Sequence, residues 1–428
     1  MTALRKYHDD ELPDGWRLVR LGEVAVVAFS SVDKRTVEGE IPVELCNYKD
    51  VFYNRRIHAG MAFMSATATP TECQRWSLSQ GDVIFTKDSE TPDEIGIPCY
   101  VSTDLPNVLC GYHLGLARPH DPSVEGAFLA RTLASRASAR EFGRIANGVT
   151  RFGLTLDATK NLPILLPPLP EQGAIAAVLD SIDDAIEHTE AVIAATEQLR
   201  DSLLHELLTR GVPGWHTEWK EAPGLGKIPA DWEVVRLGEV CESPQYGATA
   251  SGQPHDPDLP RYVRITDIND DGRLRNDEMA SAEPSETTGF QLKPGDLLFA
   301  RSGATVGKTY LYRPQDGPCV YAGYLIRFRP IRDLAFPEFL ERCTRSLSYR
   351  RWVESMFRAG AQPNINAAEY SSLCIPLPSL AEQGAVAGLL DGVDVTVEKA
   401  RIERQGLQSL KDSTAEALLT GRVRVAGN

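Results

Sequence analysis

The stretch Leu162–Val212 recurs as Leu373–Val423, and this duplication limits the fold more than any other feature of the chain. No insertion separates the copies, since 382 − 171 and 418 − 207 both equal 211. Each copy opens on a short apolar strand and a proline-rich turn, Ile164-Leu-Leu-Pro-Pro-Leu-Pro-Glu-Gln172 and Ile375-Pro-Leu-Pro-Ser-Leu-Ala-Glu-Gln383. A long helix follows, with Pro170 or Ala381 near its start. Proline is tolerated in a first helical turn because its missing N–H has no helical partner there. Gly211 with Pro213, and later Gly421, mark the stops. Apolar residues recur along one face as Ile175, Leu179, Ile182, Ile186 and Ile193, then as Val386, Leu390, Val393, Val397 and Leu407, the spacing of a helix-pair seam. About 35 residues at 1.5 Å each make a rod of roughly 50 Å. The expected molecule is two globular units separated by two rods.

The duplication reaches into those units. Trp16 with Leu21-Gly-Glu23 returns as Trp232 with Leu237-Gly-Glu239, Gly81-Asp82 as Gly295-Asp296, Arg118-Pro119 as Arg329-Pro330, and Phe128-Leu129 as Phe339-Leu340. The offset falls from 216 (232 − 16) through 214 (296 − 82) to 211 (329 − 118), so the second unit is slightly shorter. A repeating frame around drifting interiors predicts one fold with different surface chemistry in each copy. Within each unit, short β-branched or aromatic runs alternate with Gly, Pro, Asp and Asn clusters. Strands are expected at Val24–Phe29, Val43–Leu45, Val83–Thr86 and Val108–Cys110, and at Tyr262–Ile265, Leu297–Ala300, Thr309–Tyr312 and Leu325–Phe328. A basic helix follows at Gly126–Ile145 and at Pro337–Phe357. The reading is a mixed α/β (α+β) chain. Residues 1–160 and 228–372 are its β-rich units, 161–212 and 373–428 its strand, turn and long helix, and 213–227 a Pro- and Gly-rich linker.

The net charge of −14 argues against a nucleic-acid binder only until it is divided. Residues 161–212 carry nine acidic and two basic side chains, a net −7, whereas residues 1–160 and 213–372 are each only −3. A local basic face on each unit remains open. No apolar run approaches the roughly 20 residues that span a bilayer, and the N-terminal residues lack the apolar core of a signal peptide. Eight cysteines without a Cys-x-x-Cys pair point to reduced thiols in a cytoplasm rather than disulfides or zinc.

A Trp-x-x-x-x-Leu-Gly-Glu opening and a Pro-x-Leu-x-Glu-Gln rod entrance, each present twice in the order unit, rod, unit, rod, resemble the DNA specificity subunit of Type I restriction–modification systems over nearly the whole chain. The resemblance implies two tandem target-recognition domains, each reading one half of a bipartite, asymmetric site in double-stranded DNA. It implies two long helices paired antiparallel as a coiled coil that sets the distance between the halves. It also implies methyltransferase (modification) subunits, two of them, docked on that frame, with restriction subunits as further partners. The second copy departs with Ser379 and Ala381 in its entrance and Gly388, Gly392 and Gly406 in its helix. Each helical glycine costs up to about 1 kcal/mol, so a less regular second rod is expected.

Candidate DNA contacts follow from chemistry. Arg136, Arg140 and Arg144 recur every fourth residue and share one helix face; Arg342, Arg345, Arg350, Arg351 and Arg358 crowd the matching segment. Such side chains supply phosphate contacts that position a protein without reading sequence, or else form a solvated face paired to Glu141, Glu341 and Glu354. The loops after the Gly-Asp strands offer Lys87 and Ser89 in one copy and Arg301, Ser302, Thr305 and Lys308 in the other. The second loop nearly spells a P-loop, but Gly303 and Gly307 enclose three residues where four are required, and a strand is expected where a helix should begin. Lys34, Arg35, Asn47, Gln245, Tyr246 and Arg264 have side chains suited to base edges, although single residues of these types also abound in turns. Arg151 and Gln362 (362 − 151 = 211) stand at matching places before the rods. No motif for a methyl-donor cofactor, for nucleotide or for zinc is present, so neither cofactor nor catalysis is expected of the chain itself. A fused or stand-alone nuclease is the rival reading, and a scaffold without DNA affinity a third.

Overall fold

The computed structural model describes residues 12–357 and 362–425; Arg358 lies outside them. The chain divides into two compact units, one holding residues 1–190 and 402–428, the other residues 191–401. Both divisions fall inside the long helices, Leu169–Arg210 and Leu380–Leu419, so each unit contains the start of one and the end of the other.

The first helix has 42 residues, about 63 Å at 1.5 Å each, longer than the sequence spacing suggested. The second runs unbroken through Gly388, Gly392 and Gly406, so the glycines cost propensity without breaking regularity. Gly211 and Gly421 follow the helix ends with φ of 73° and 70°, the left-handed conformation that closes a helix and that glycine adopts without strain. In the first unit Ile175 and Leu179 share a core with Leu418 and Leu419. In the second, Val386 and Leu390 share one with Leu204, Leu207 and Leu208. Start therefore packs against end in both units, and the pairing is antiparallel. Of the seam, Ile175, Leu179, Ile186, Ile193, Val386, Leu390 and Val397 are buried, while Ile182, Val393 and Leu407 are half-buried.

The first unit builds a five-stranded sheet in the order Ala25–Phe29, Leu114–Pro119, Val83–Thr86, Pro98–Val101, Arg56–Ile57. A four-stranded sheet orders Met64–Ala68, Ile41–Cys46, Leu105–Cys110 and Ser77–Leu78. The second unit has two four-stranded sheets, one centred on Leu325–Phe328 and Leu297–Ala300, the other on Ala280–Ser281 and Arg261–Val263. Val83–Thr86 and Leu297–Ala300 are buried at every residue, which is why they read as continuous apolar runs. Each unit has a core shared with the long helices and an outer core, built around Leu45 and Ile57 or Val263 and Ile268, that lies apart from the helix residues; the second unit adds smaller clusters around Tyr262 and Trp232.

Both basic helices are broken in two. Gly126–Leu133 is followed by Arg136–Ile145, and Pro337–Cys343 by Leu347–Ser355. The cause is a serine in each copy: Ser135 Oγ accepts from Ser138 N and Ser346 Oγ from Tyr349 N, starting a new helix. The segment read as a linker carries a hairpin, Trp219–Ala222 paired with Gly226–Pro229. Among the described residues no helix is long and apolar enough to cross a membrane.

Candidate nucleic-acid interface

The repeated motifs turn out to bind one another. Glu171, at the rod entrance, accepts Trp16 Nε1 at 3.1 Å and Arg424 Nε and Nη2 at 2.6 and 2.8 Å. Burial alone would raise its pKa, but Arg424 and Trp16 outweigh that and hold the carboxyl below its usual range. In the second unit Glu382 accepts Trp232 Nε1 at 2.9 Å and Val212 N at 3.0 Å, and lies 2.7 Å from His216 Nε2. The adjoining glutamines stitch the entrance to the recognition unit: Gln172 accepts from Glu125 N and Gln383 from Phe336 N, at 2.9 and 2.8 Å. Asp82 and Asp296, both fully buried, take bidentate pairs from Arg118 (2.7 and 2.6 Å) and Arg329 (2.7 and 2.9 Å). The signatures that made the chain recognisable are thus its framework.

The two Gly-Asp strands leave this framework at Lys87 and Arg301, which hold equivalent places. Lys87 N donates to His113 O and its carbonyl accepts from Leu154 N. Arg301 N donates to Tyr324 O and its carbonyl accepts from Ile365 N, all at 2.8–3.1 Å. In both, the cation rests on two aromatic rings. Lys87 Nζ lies 4.2 Å from the Tyr112 centroid and 5.8 Å from that of Phe29, and donates to Ser30 O at 3.0 Å. The Arg301 guanidinium lies 5.0 Å from Tyr246 and 5.9 Å from Tyr324. Burial pulls the Lys87 ammonium pKa below its ordinary value; arginine stays charged regardless. Tyr112 and Tyr324 are half exposed, 50% and 58%, so each platform faces solvent while its cation is half sheltered. A cation on aromatic faces suits a nucleic acid, to which both phosphate pairing and base stacking are open.

The surroundings differ. In the first unit Asp88 lies 2.9 Å from His113 Nδ1 and 3.2 Å from Arg151 Nη2, and Phe152–Gly153 pairs with Asp88–Ser89. Ser89 is buried and accepts from Thr91 N. In the second, Ser302 bridges Asn364, Gln362 stands beside Gly303, and Thr305 Oγ1 donates to Ser302 O at 3.3 Å. Gln245 sits with Tyr246 on the strand paired to Leu325–Phe328. The structure therefore gathers Lys87, Ser89 and Arg151 in one unit and Gln245, Tyr246, Arg301, Ser302, Thr305 and Gln362 in the other.

The remaining candidates stand elsewhere. Lys308 pairs with Asp270 at 2.7 Å. Arg264 is held by Asp267 and the Glu278 carbonyl, and Asn47 caps the turn Tyr48–Phe52. Lys34 is exposed, and Arg35 is exposed beside Asp33. Arg136 reaches Asp412 at 2.7 Å, Arg144 reaches Glu141 at 2.6 Å, and Arg345 pairs with Glu341. Arg140 and Arg351 are exposed. Arg342, grouped by sequence with the basic segment, is 3% exposed and bound to Asp391 and Asp394 of the second long helix, as Arg131 is to Asp180 and Asp183 of the first. Both arginines are framework rather than surface. Sequence reading missed Phe29, Tyr112, His113 and Tyr324. A signal existed, since Gly111-Tyr112 and Gly323-Tyr324 repeat at an offset of 212 (324 − 112), one residue out of step with the frame.

The model of the Type I restriction modification DNA specificity domain matches residues 13–198 and again 229–405. A relative described as the MjaVIII specificity subunit of a Type I restriction enzyme, from Methanocaldococcus jannaschii, is 24% identical over 98% of this chain and 96% of its own length. The EcoKI specificity subunit of Escherichia coli strain K12 is 27% identical over 72% and 67%. Among solved structures, the specificity subunit from M. genitalium superposes with a TM-score of 0.57 at 15% identity, covering 98% of this chain and 99% of that one, a likeness of fold.

Proposed function

Since this chain belongs to the Type I restriction–modification DNA specificity family, we propose that it reads a bipartite, asymmetric site in double-stranded DNA, one half-site per recognition unit. It is a specificity subunit, a non-catalytic component that gives its complex a DNA target. Residues 1–160 and 228–372 are the two readers. The long helices set the spacer between half-sites and dock two modification subunits, with restriction subunits joining the same complex.

One observation carries the two-reader proposal. Lys87 and Arg301 leave the same place in the repeated frame on two aromatic rings, yet their neighbours differ: Asp88, His113 and Arg151 in one copy, Ser302 and Gln362 in the other. A shared mounting with changed chemistry is what two readers of different sequences require, because base edges discriminate through donor and acceptor pattern. Asp88 supplies acceptors where the second copy has a hydroxyl and an amide.

The test exchanges residues 1–160 for the matching unit of another specificity subunit and sequences the methylome. One half of the methylated motif should change and the other persist. Change in both halves, or merely lax modification, would overturn the reading. Purified chain with magnesium and plasmid should leave the DNA intact; cleavage would favour the nuclease reading.

A further inference from the structure

Each recognition unit is also tied to the long helices through its outer core. Asp50 closes the turn after Asn47 by accepting Asn47 N at 2.7 Å, and Asp267 closes the turn after Arg264 by accepting Arg264 N at 2.8 Å. Both pairs differ by 217 (264 − 47, 267 − 50), so the segments 54–57 and 271–274 hold the same place in the repeat. Arg55 pairs with Asp183 and Glu187, and Arg56 Nη2 lies 2.7 Å from Asp180, all on the first long helix. Arg273 Nη1 lies 3.3 Å from Glu398 on the second, and Glu398 is the repeat counterpart of Glu187 (398 − 187 = 211). Asp271 adds pairs of opposite sign, 3.1 Å from Arg401 and 3.8 Å from Arg200. The attachment is duplicated in place and only partly in charge.

Its position gives it leverage. The entrance joint at Glu171 or Glu382 lies 16 residues before Glu187 or Glu398 (187 − 171, 398 − 382), about 24 Å along a helix. The entrance joint and the Arg131 or Arg342 pairs hold the inner core; an attachment from the outer lobe itself, that far from the entrance, fixes the lobe's angle. The strapped segments belong to the outer core. Ile57 packs there in the first unit, Ile268 and Leu274 in the second.

We propose that segments 54–57 and 271–274 are straps, with Arg55, Arg56, Asp271 and Arg273 as positioning residues that fix each recognition unit's pose on the helices and thereby restrict the spacer lengths tolerated. The inference rests on the bipartite reading above. Its test reconstitutes the full chain with modification subunits and measures methylation of duplexes in which only the spacer varies. Wild type must first prefer one spacer; if it does not, the bipartite reading fails rather than the strap. R273E should lower the preference over spacers one base pair different by about fivefold, the scale of a part-exposed ion pair, with both half-site sequences unchanged. The swap R273E/E398R should restore it. R55E/R56E should loosen the spacer in the same way, and if that variant does not fold the swap still decides. An unchanged spacer preference in R273E, an altered half-site sequence, or a swap that folds with wild-type thermal stability but does not rescue would each overturn the proposal.

Discussion

At the residue scale, the side chains that repeat and those that differ have separate duties. Asp82 and Asp296 each satisfy an arginine bidentately inside the fold, and either loss would strip a guanidinium of its buried carboxylate. Removing one member of such a pair costs about 3 kcal/mol, so Asp82→Ala or Asp296→Ala should lower the unfolding free energy read from a urea titration by that amount. Arg301→Ala should behave in the opposite manner. Its guanidinium lies half sheltered on two tyrosine faces of the second unit, so stability should move little. Discrimination at the second half-site should fall about tenfold, the scale of one good base contact. Methylation of a randomised half-site library separates this from a general loss of DNA affinity, which would lower every sequence alike.

At the element scale, the long helices are organised around carboxylates in their first halves. Asp183 is 2% exposed, and Lys411 Nζ from the end of the other helix approaches it to 2.8 Å, alongside Arg55 and Arg131. Asp394 receives Arg342 at 2.6 Å and Arg200 at 3.7 Å; Arg200 and Lys411 are repeat counterparts (411 − 200 = 211). Burial alone would raise both carboxyl pKa values, but the hydrogen bonds and charges of these cations outweigh it and hold both below the usual range. A depressed folded pKa contributes stability that is present above the unfolded value, about 3.9, and is lost as pH falls through the folded value. The helix pair should therefore weaken below about pH 4. Asp183→Asn should lower stability at pH 7 by about 3 kcal/mol and flatten that acid limb, read as the urea midpoint against pH. A variant with the wild-type acid limb would remove Asp183 from this role.

At the scale of the whole molecule, helix length is the variable to change. Ala194 and Ala195 are exposed on the first long helix, and four residues inserted between them add about 6 Å. Four residues turn the helix by about 400°, which nearly restores the apolar face; two turn it by about 200° and present the polar face to the seam. With one base-pair step near 3.4 Å, the four-residue insertion should lengthen the preferred spacer by one or two base pairs and leave both half-sites unchanged. The two-residue insertion should abolish assembly. Methylation of a spacer library reads both outcomes, and a four-residue variant that assembles but keeps the old spacer would show that the helices do not measure it.

The sequence by itself determined the duplication, the two long helices with their buried face and glycine ends, the β-rich units and the family. All of these rest on local periodicity or on residues recurring at one offset, which a linear reading can register. The break inside each basic helix was legible in principle from Ser135 and Ser346, but a capping serine looks like any other until its oxygen is seen to accept a backbone N–H. Only the tertiary structure decided which partner each charge has. Arg342 and Arg345 stand three residues apart in one basic run, yet Arg342 is buried against the second long helix while Arg345 is half-buried and pairs with Glu341. It also decided that Tyr246 and Tyr324, 78 residues apart (324 − 246), meet under Arg301. Such a site is assembled by sheet register between distant strands, and register is set by packing and pairing partners that no single segment contains.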